Sequence, residues 1–87
     1  MTISATTIDT MLWAIRGEIQ SRHGVDASYR MAAPLTWYVN SGRASTAFLH
    51  KLYEARPVLV ARDLAKGGSY DEALARVFNR IGFEPNS

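Results

Sequence analysis

Cysteine is absent from the sequence, which excludes disulfide bonds, thiolate catalysis and cysteine-ligated metal sites. Long apolar runs are also missing. The longest candidate, residues 57–61, is far shorter than the roughly 20 residues that a membrane-spanning helix needs. The first residues lack the basic and apolar stretches of a secretory signal. We therefore expect a soluble, cytoplasmic protein that does not enter a membrane.

A large excess of charge of one sign is missing too. Ten Lys and Arg residues against eight Asp and Glu residues give a net charge of +2, and the basic residues are spread along the chain. This balance permits nucleic-acid binding without favouring it. An apolar content of 47% is typical of a folded chain. We expect residues 1–87 to form a single helical domain, with flexible ends at residues 1–6 and 84–87.

Catalytic motifs are lacking as well. No GxSxG, Walker, GxGxxG or HExxH pattern occurs. His23 and His50 are far apart in the sequence, without carboxylates at metal-ligand spacing. Asp71 and Glu72 are adjacent, so a helix would point them in different directions, which does not suit paired acid–base chemistry. The sequence therefore predicts no enzyme, no metal site and no cofactor.

Helical signals are present, and they are clearest in residues 70–81. Ser69 and Glu72 have the spacing of a capping box, and Gly82 suits the left-handed position after a helix. Phe83 follows as the apolar residue that folds back on the last turn. The predicted apolar face of this helix consists of Tyr70, Leu74, Val77, Phe78 and Ile81.

Further helices are predicted upstream. The first runs from an N-cap at Thr6 or Thr7 to His23, before a glycine that ends it. Pro57 begins a later helix, which forms an αα-hairpin with residues 70–81. A third helix begins at Ser45 or Thr46. The predicted core residues of the first and third helices are Ile8, Met11, Leu12, Ile15, Ile19, Phe48, Leu49 and Leu52.

Residues 26–39 carry the least regular pattern. Asp26 is a candidate cap for a short helix to Ala33, and Pro34 either ends that helix or begins another. Residues 35–39 favour a strand by composition, but no second strand is predicted to pair with them. We therefore expect helical or extended packing there. The sequence as a whole predicts an all-α bundle of four to five short helices with a C-terminal αα-hairpin.

Two resemblances fall on the last third of the chain. Residues 56–87 resemble a single tetratricopeptide repeat, and this resemblance implies protein or peptide binding. The matching positions are Ala61, Leu64, Gly68, Tyr70, Asp71, Glu72, Ala73 and Pro85. No second repeat precedes them, so we interpret the match as convergence on a helical hairpin.

The same hairpin also resembles the helix-turn-helix of bacterial repressors, in which the second helix enters the major groove of DNA. The resemblance implies nucleic-acid binding through Arg76, Asn79 and Arg80, which follow a glycine turn. The alternative is a surface ion pair between Glu72 and Arg76, with Asn79 and Arg80 solvated beside it.

Aromatic and arginine residues suggest a protein-binding surface. Trp13 points about 140° away from the core stripe of the first helix, beside Gly17. It therefore belongs either to a second buried face or to a partner site. Trp37 and Tyr38 either pack against the first helix or contact a partner. Together with Arg43, these are the residue types that dominate binding hot spots.

We therefore predict a non-catalytic module that docks on a larger protein through Trp13, Trp37, Tyr38 and Arg43, as a regulator, adaptor or inhibitor. The small size and the alanine- and arginine-rich composition are typical of a bacterial or phage protein. One alternative is a nucleic-acid-binding regulator. Another is a homo-oligomeric structural subunit whose apolar surface is covered by a symmetric copy.

Overall fold

The computed structural model describes residues 3–85 and contains five α-helices, with no β-strand in that range. They are α1 (Ala5–His23), α2 (Val25–Asn40), α3 (Thr46–Glu54), α4 (Pro57–Leu64) and α5 (Tyr70–Ile81). The predicted all-α bundle with a C-terminal αα-hairpin, α4 and α5, is confirmed. None of these described helices is long and apolar enough to cross a membrane. Of the expected flexible ends, residues 1, 2, 86 and 87 lie outside the described range, and residues 5 and 6 belong to α1.

The first helix begins earlier than the sequence predicts. Ser4 is its N-cap rather than Thr6 or Thr7, and the Ser4 hydroxyl accepts a hydrogen bond from the Thr7 N–H at 3.2 Å. Gly24 then separates α1 from α2 with a φ of +88°, a value that glycine adopts without steric cost. A connection of one residue brings α2 directly against α1.

The second helix differs most from the sequence prediction. Instead of short segments divided at Pro34, α2 is continuous from Val25 to Asn40. Pro34 cannot donate a backbone hydrogen bond, but it is buried together with Ala32 and Leu35. Burial of this face offsets the lost hydrogen bond, so tertiary packing overrides the local helix-breaking tendency.

All five helices contribute to one core. α1 packs against α2 and α4, while α5 packs against α4 and α2. The fully buried Phe48 lies at its aromatic end, with the rings of Tyr38 and Phe83 at centroid distances of 5.0 and 5.3 Å. The predicted apolar faces therefore lie in or against this core, with one exception. Tyr70 is exposed, not buried.

The turn between α4 and α5 is set by the predicted capping box. The Ser69 hydroxyl accepts from the Glu72 N–H at 3.1 Å, and the Ser69 N–H donates to Glu72 Oε1 at 2.8 Å. The backbone hydrogen bond from Ser69 lowers the pKa of Glu72. At the other end, Gly82 is left-handed with a φ of +72°, and the Phe83 N–H donates to the Phe78 carbonyl. The capping box therefore fixes the first residue of α5 in place, and the Gly82 turn ends the helix.

Alanine substitutions at the two glycines of this turn test the capping box. Both residues have positive φ, +75° at Gly67 and +91° at Gly68, so both variants are strained. At position 68 a Cβ would also lie 2.9 Å from Glu72 Oε1, whereas at position 67 it meets nothing within 4 Å. We expect Gly68→Ala to lower the free energy of unfolding in urea by about 1 kcal/mol more than Gly67→Ala. Equal losses would show that the box contributes nothing.

Candidate functional site

Several aromatic side chains lie on the surface instead of in the core. Trp13 is 62% exposed and Trp37 is 42% exposed. Tyr29 and Tyr70 are exposed as well. Trp13 therefore does not belong to a second buried face. Four large rings from α1, α2 and α5 are left in contact with water.

Trp13 forms a stack with Arg16 and Tyr29, called here the first stack. The Arg16 Cζ atom lies 4.7 Å from the Trp13 ring centroid and 5.3 Å from the Tyr29 ring centroid. Trp13 and Arg16 are three residues apart, so they are neighbours on one face of α1. Tyr29 completes the stack from α2. The cation is therefore held against two aromatic rings.

Trp37 forms the second stack, with Arg43 and Tyr70. The Arg43 Cζ atom lies 4.7 Å from the Trp37 ring centroid. The Trp37 and Tyr70 rings are 6.0 Å apart and tilted by 55°. Arg43 comes from the connection between α2 and α3, and Tyr70 is the first residue of α5. Three separate parts of the chain therefore meet at one indole.

The two stacks share the exposed face of α2. Tyr29, Ala33 and Trp37 follow at intervals of four residues, and each interval turns only about 40° around the helix. The step from Tyr29 to Trp37 is about 12 Å along the helix axis. Arg30 is exposed beside this line. The aromatic–arginine surface is defined as Trp13, Arg16, Tyr29, Arg30, Trp37, Arg43 and Tyr70.

Tyr38 lies apart from this surface. It is half-buried, and its ring lies 5.0 Å from that of Phe48 and 5.3 Å from that of Phe78, with edge-to-face geometry in both cases. Adjacent residues of a helix point about 100° apart, so Tyr38 faces inward while Trp37 faces outward. Among the four predicted partner-binding residues, Trp37 and Arg43 are in contact, Trp13 belongs to the neighbouring stack, and Tyr38 packs against the core.

The three residues proposed for nucleic-acid binding, Arg76, Asn79 and Arg80, belong to α5 and lie beside the C-terminal end of α4. The Arg80 Nε donates to Asp63 Oδ2 at 2.7 Å, and a terminal nitrogen donates to Asp63 Oδ1 at 3.2 Å. Arg76 donates to the backbone carbonyls of Asp63, at 2.8 Å, and Gly67. Asn79 is exposed beside them. Both arginines therefore fasten α5 to the last turn of α4.

The surface ion pair expected between Glu72 and Arg76 is not formed. The Glu72 carboxylate accepts from the Ser69 N–H, and the Arg76 side chain turns toward α4 instead. The reason is geometric, because the last carbonyls of α4 have no partner within their own helix. The Arg76 guanidinium donates to one of them, the Asp63 carbonyl, and also to the Gly67 carbonyl in the turn that follows α4.

Asp63 is a buried carboxylate with cationic partners. The Arg80 hydrogen bond is the main cause that lowers the pKa of Asp63, and Lys66 at 3.6 Å adds to it. The same hydrogen bond raises the pKa of Arg80. A carboxyl group with a lowered pKa in the fold stabilises the fold fully above its ordinary value of 3.8. That contribution is lost as the pH falls below this value, through the lower pKa of the folded state.

The sequence alone did not identify Arg16, Tyr29 and Tyr70 as members of a surface site, or Asp63 as the carboxylate that pairs with Arg80. The i, i+3 spacing of Trp13 and Arg16 was a usable signal for the first stack. The other three need tertiary information, since each meets its partner across helices. In the described part of the chain, no three histidine or carboxylate side chains come close enough to hold a metal ion.

Comparison with known proteins gives no relative. No protein-family model matches the chain, and no curated protein or solved structure matches it significantly. The tetratricopeptide and helix-turn-helix resemblances therefore extend no further than the residues of the α4–α5 hairpin. The chemistry of the exposed surface is the remaining basis for inferring a function.

Replacing Asp63 by Asn tests the contact between α4 and α5. We expect the free energy of unfolding in urea to fall by about 2 kcal/mol near pH 7, because Arg80 loses its charged partner. This difference in the free energy of unfolding narrows as the pH falls below 3.8, and it is lost at the lower pH where the folded wild-type carboxylate also becomes neutral. Glu54→Gln, which neutralises an exposed carboxylate on α3, is the control. A difference independent of pH would contradict the charged pairing.

Proposed function

We propose that this protein is a non-catalytic interaction module that docks on a larger protein through the aromatic–arginine surface, as a regulator, adaptor or inhibitor of that partner. The observation that carries the proposal is the pair of exposed tryptophans, each already stacked with an arginine. Trp, Tyr and Arg are the residues enriched in binding hot spots.

Exposed rings on one face have an energetic consequence. Covering apolar surface is favourable by about 25 cal/mol per Å², and Trp13, Tyr29, Trp37 and Tyr70 keep between 42% and 62% of their surface exposed in the isolated chain. Scattered exposed rings would need no explanation. Here two tryptophans and two tyrosines come together in two adjoining stacks, which favours a surface that a partner covers.

The stacks also reduce the cost of binding. An arginine side chain normally loses considerable conformational freedom when it enters an interface. Arg16 already lies against Trp13 and Tyr29, and Arg43 against Trp37. Part of the ordering therefore precedes contact with a partner, which supports docking without a large rearrangement.

A nucleic-acid-binding regulator remains the first alternative, through Arg76, Asn79 and Arg80. Phosphates would have to compete with Asp63 for Arg80 and with backbone carbonyls for Arg76. The observed contacts therefore favour a structural role for these two arginines over phosphate binding. The second alternative is a self-associating subunit, in which a symmetric copy covers the aromatic–arginine surface. Near a two-fold axis, arginines of one copy would face those of the other, which is unfavourable.

Alanine substitutions of the tryptophans test the docking proposal. The tagged wild type, the Trp13→Ala/Trp37→Ala double variant and a Tyr53→Ala control are used to capture proteins from nuclease-treated bacterial lysate, with quantitative mass spectrometry. Tyr53 is 58% exposed on α3 and lies outside the surface. We expect the wild type and the control to retain the same protein, and the double variant to retain it at least about tenfold less.

Three results would argue against this function. Equal capture by the double variant would exclude the aromatic–arginine surface as the docking site. Capture that disappears after nuclease treatment would favour the nucleic-acid alternative. A molecular mass that rises with concentration and is reduced to the monomer by the double substitution would favour self-association. Circular dichroism of each variant checks that the helices remain folded.

A further inference from the structure

We infer that the partner of the aromatic–arginine surface is an acidic protein segment, in which carboxylates bind Arg16, Arg30 and Arg43 and apolar side chains cover the rings. This inference rests on the proposed docking function and specifies the chemistry of the partner. Its basis is the charge left uncompensated on this surface. In residues 3–85, no ion pair involves any of these three arginines.

The arginines are therefore stacked but not neutralised. Arg16 and Arg43 each place Cζ over an indole ring, 4.7 Å from its centroid. The Arg16 Nε is buried and makes no hydrogen bond within the described residues, so a partner can bind Arg16 only through its terminal nitrogens. A guanidinium carries five N–H donors, and a carboxylate accepts two of them in parallel. Within residues 3–85, no carboxylate forms an ion pair with these arginines.

One carboxylate, Asp26, lies on the exposed stripe of α2. It is in the first turn of that helix, where the positive end of the helix dipole stabilises a negative charge. It makes no ion pair with Arg30 four residues later. The three arginines of the surface therefore keep a positive charge that no ion pair within residues 3–85 neutralises, and the surface is complementary to an acidic partner.

The stacking favours a protein over a single-stranded nucleic acid. Bases bind such platforms by stacking on open aromatic faces. Here Arg43 covers one face of Trp37 and Tyr70 tilts against the same ring. Arg16 likewise covers faces of Trp13 and Tyr29. Carboxylates instead bind the N–H groups of a guanidinium, and no ion pair within residues 3–85 occupies Arg16, Arg30 or Arg43.

A random peptide-display library, panned on the full-length protein, tests the inference. We expect the selected peptides to be enriched in Asp and Glu beside Leu, Phe and Trp. For a selected peptide, replacing its Asp and Glu by Asn and Gln should weaken binding about tenfold or more. The Arg16→Gln/Arg30→Gln/Arg43→Gln variant should weaken binding of the original peptide by a similar factor. A double variant that leaves the first stack intact, Arg30→Gln/Arg43→Gln, should lose part of the affinity for this peptide.

The matched control is Arg22→Gln/Arg56→Gln/Arg62→Gln, which removes the same charge from exposed arginines outside the surface and should bind like the wild type. Peptides that need Trp13 and Trp37 but show no acidic enrichment would overturn the inference and leave docking intact. The absence of any peptide that depends on these tryptophans would count against docking itself. A single-stranded oligodeoxythymidine that binds more tightly than the selected peptides, and that no longer binds the Arg16→Gln/Arg30→Gln/Arg43→Gln variant, would assign the surface to nucleic acid.

Discussion

Burial of one face of α2 is the constraint on which the rest of the structure depends. Ala32, Pro34 and Leu35 are buried on that face, and Ser28 joins them with its hydroxyl donating to the Val25 carbonyl at 2.6 Å. A helix broken at Pro34 would lose this burial and would turn the two halves independently. Because α2 is continuous, its exposed residues also form one stripe. The buried face therefore determines where Tyr29 and Trp37 lie.

The polar contacts at the end of α4 have a related effect on the surface. The capping box sets the first turn of α5, and Arg76 and Arg80 hold that helix against α4. Tyr70 is consequently placed against Trp37 instead of in the core. Residues that resemble a DNA-binding string thus act within the fold, on Asp63 and on backbone carbonyls. A stable hairpin and a completed second stack follow from the same contacts.

Local signals in the sequence were sufficient for much of the fold. The capping box at Ser69, the helix start at Pro57 and the apolar faces of α1 and α3 all depend on residues close in sequence, and the structure confirms them. The continuity of α2 was not predictable in this way, because it depends on packing that outweighs the effect of Pro34. The aromatic–arginine surface was only partly predictable for the same reason, since it too depends on contacts between helices. Trp13, Trp37 and Arg43 were identifiable by residue type, but Tyr29 and Tyr70 join them only across helices.

The central claim is that the aromatic–arginine surface is where a partner docks, and the chain offers a direct probe of it. Its two tryptophans both lie on this surface, one in each stack. Fluorine NMR of the fluorotryptophan-labelled protein therefore reports on both stacks, with Trp13→Phe to assign the signals. We expect both signals to shift or broaden when the captured partner protein is added. A complex that forms while both signals remain unchanged would contradict the central claim, because the partner would then bind elsewhere.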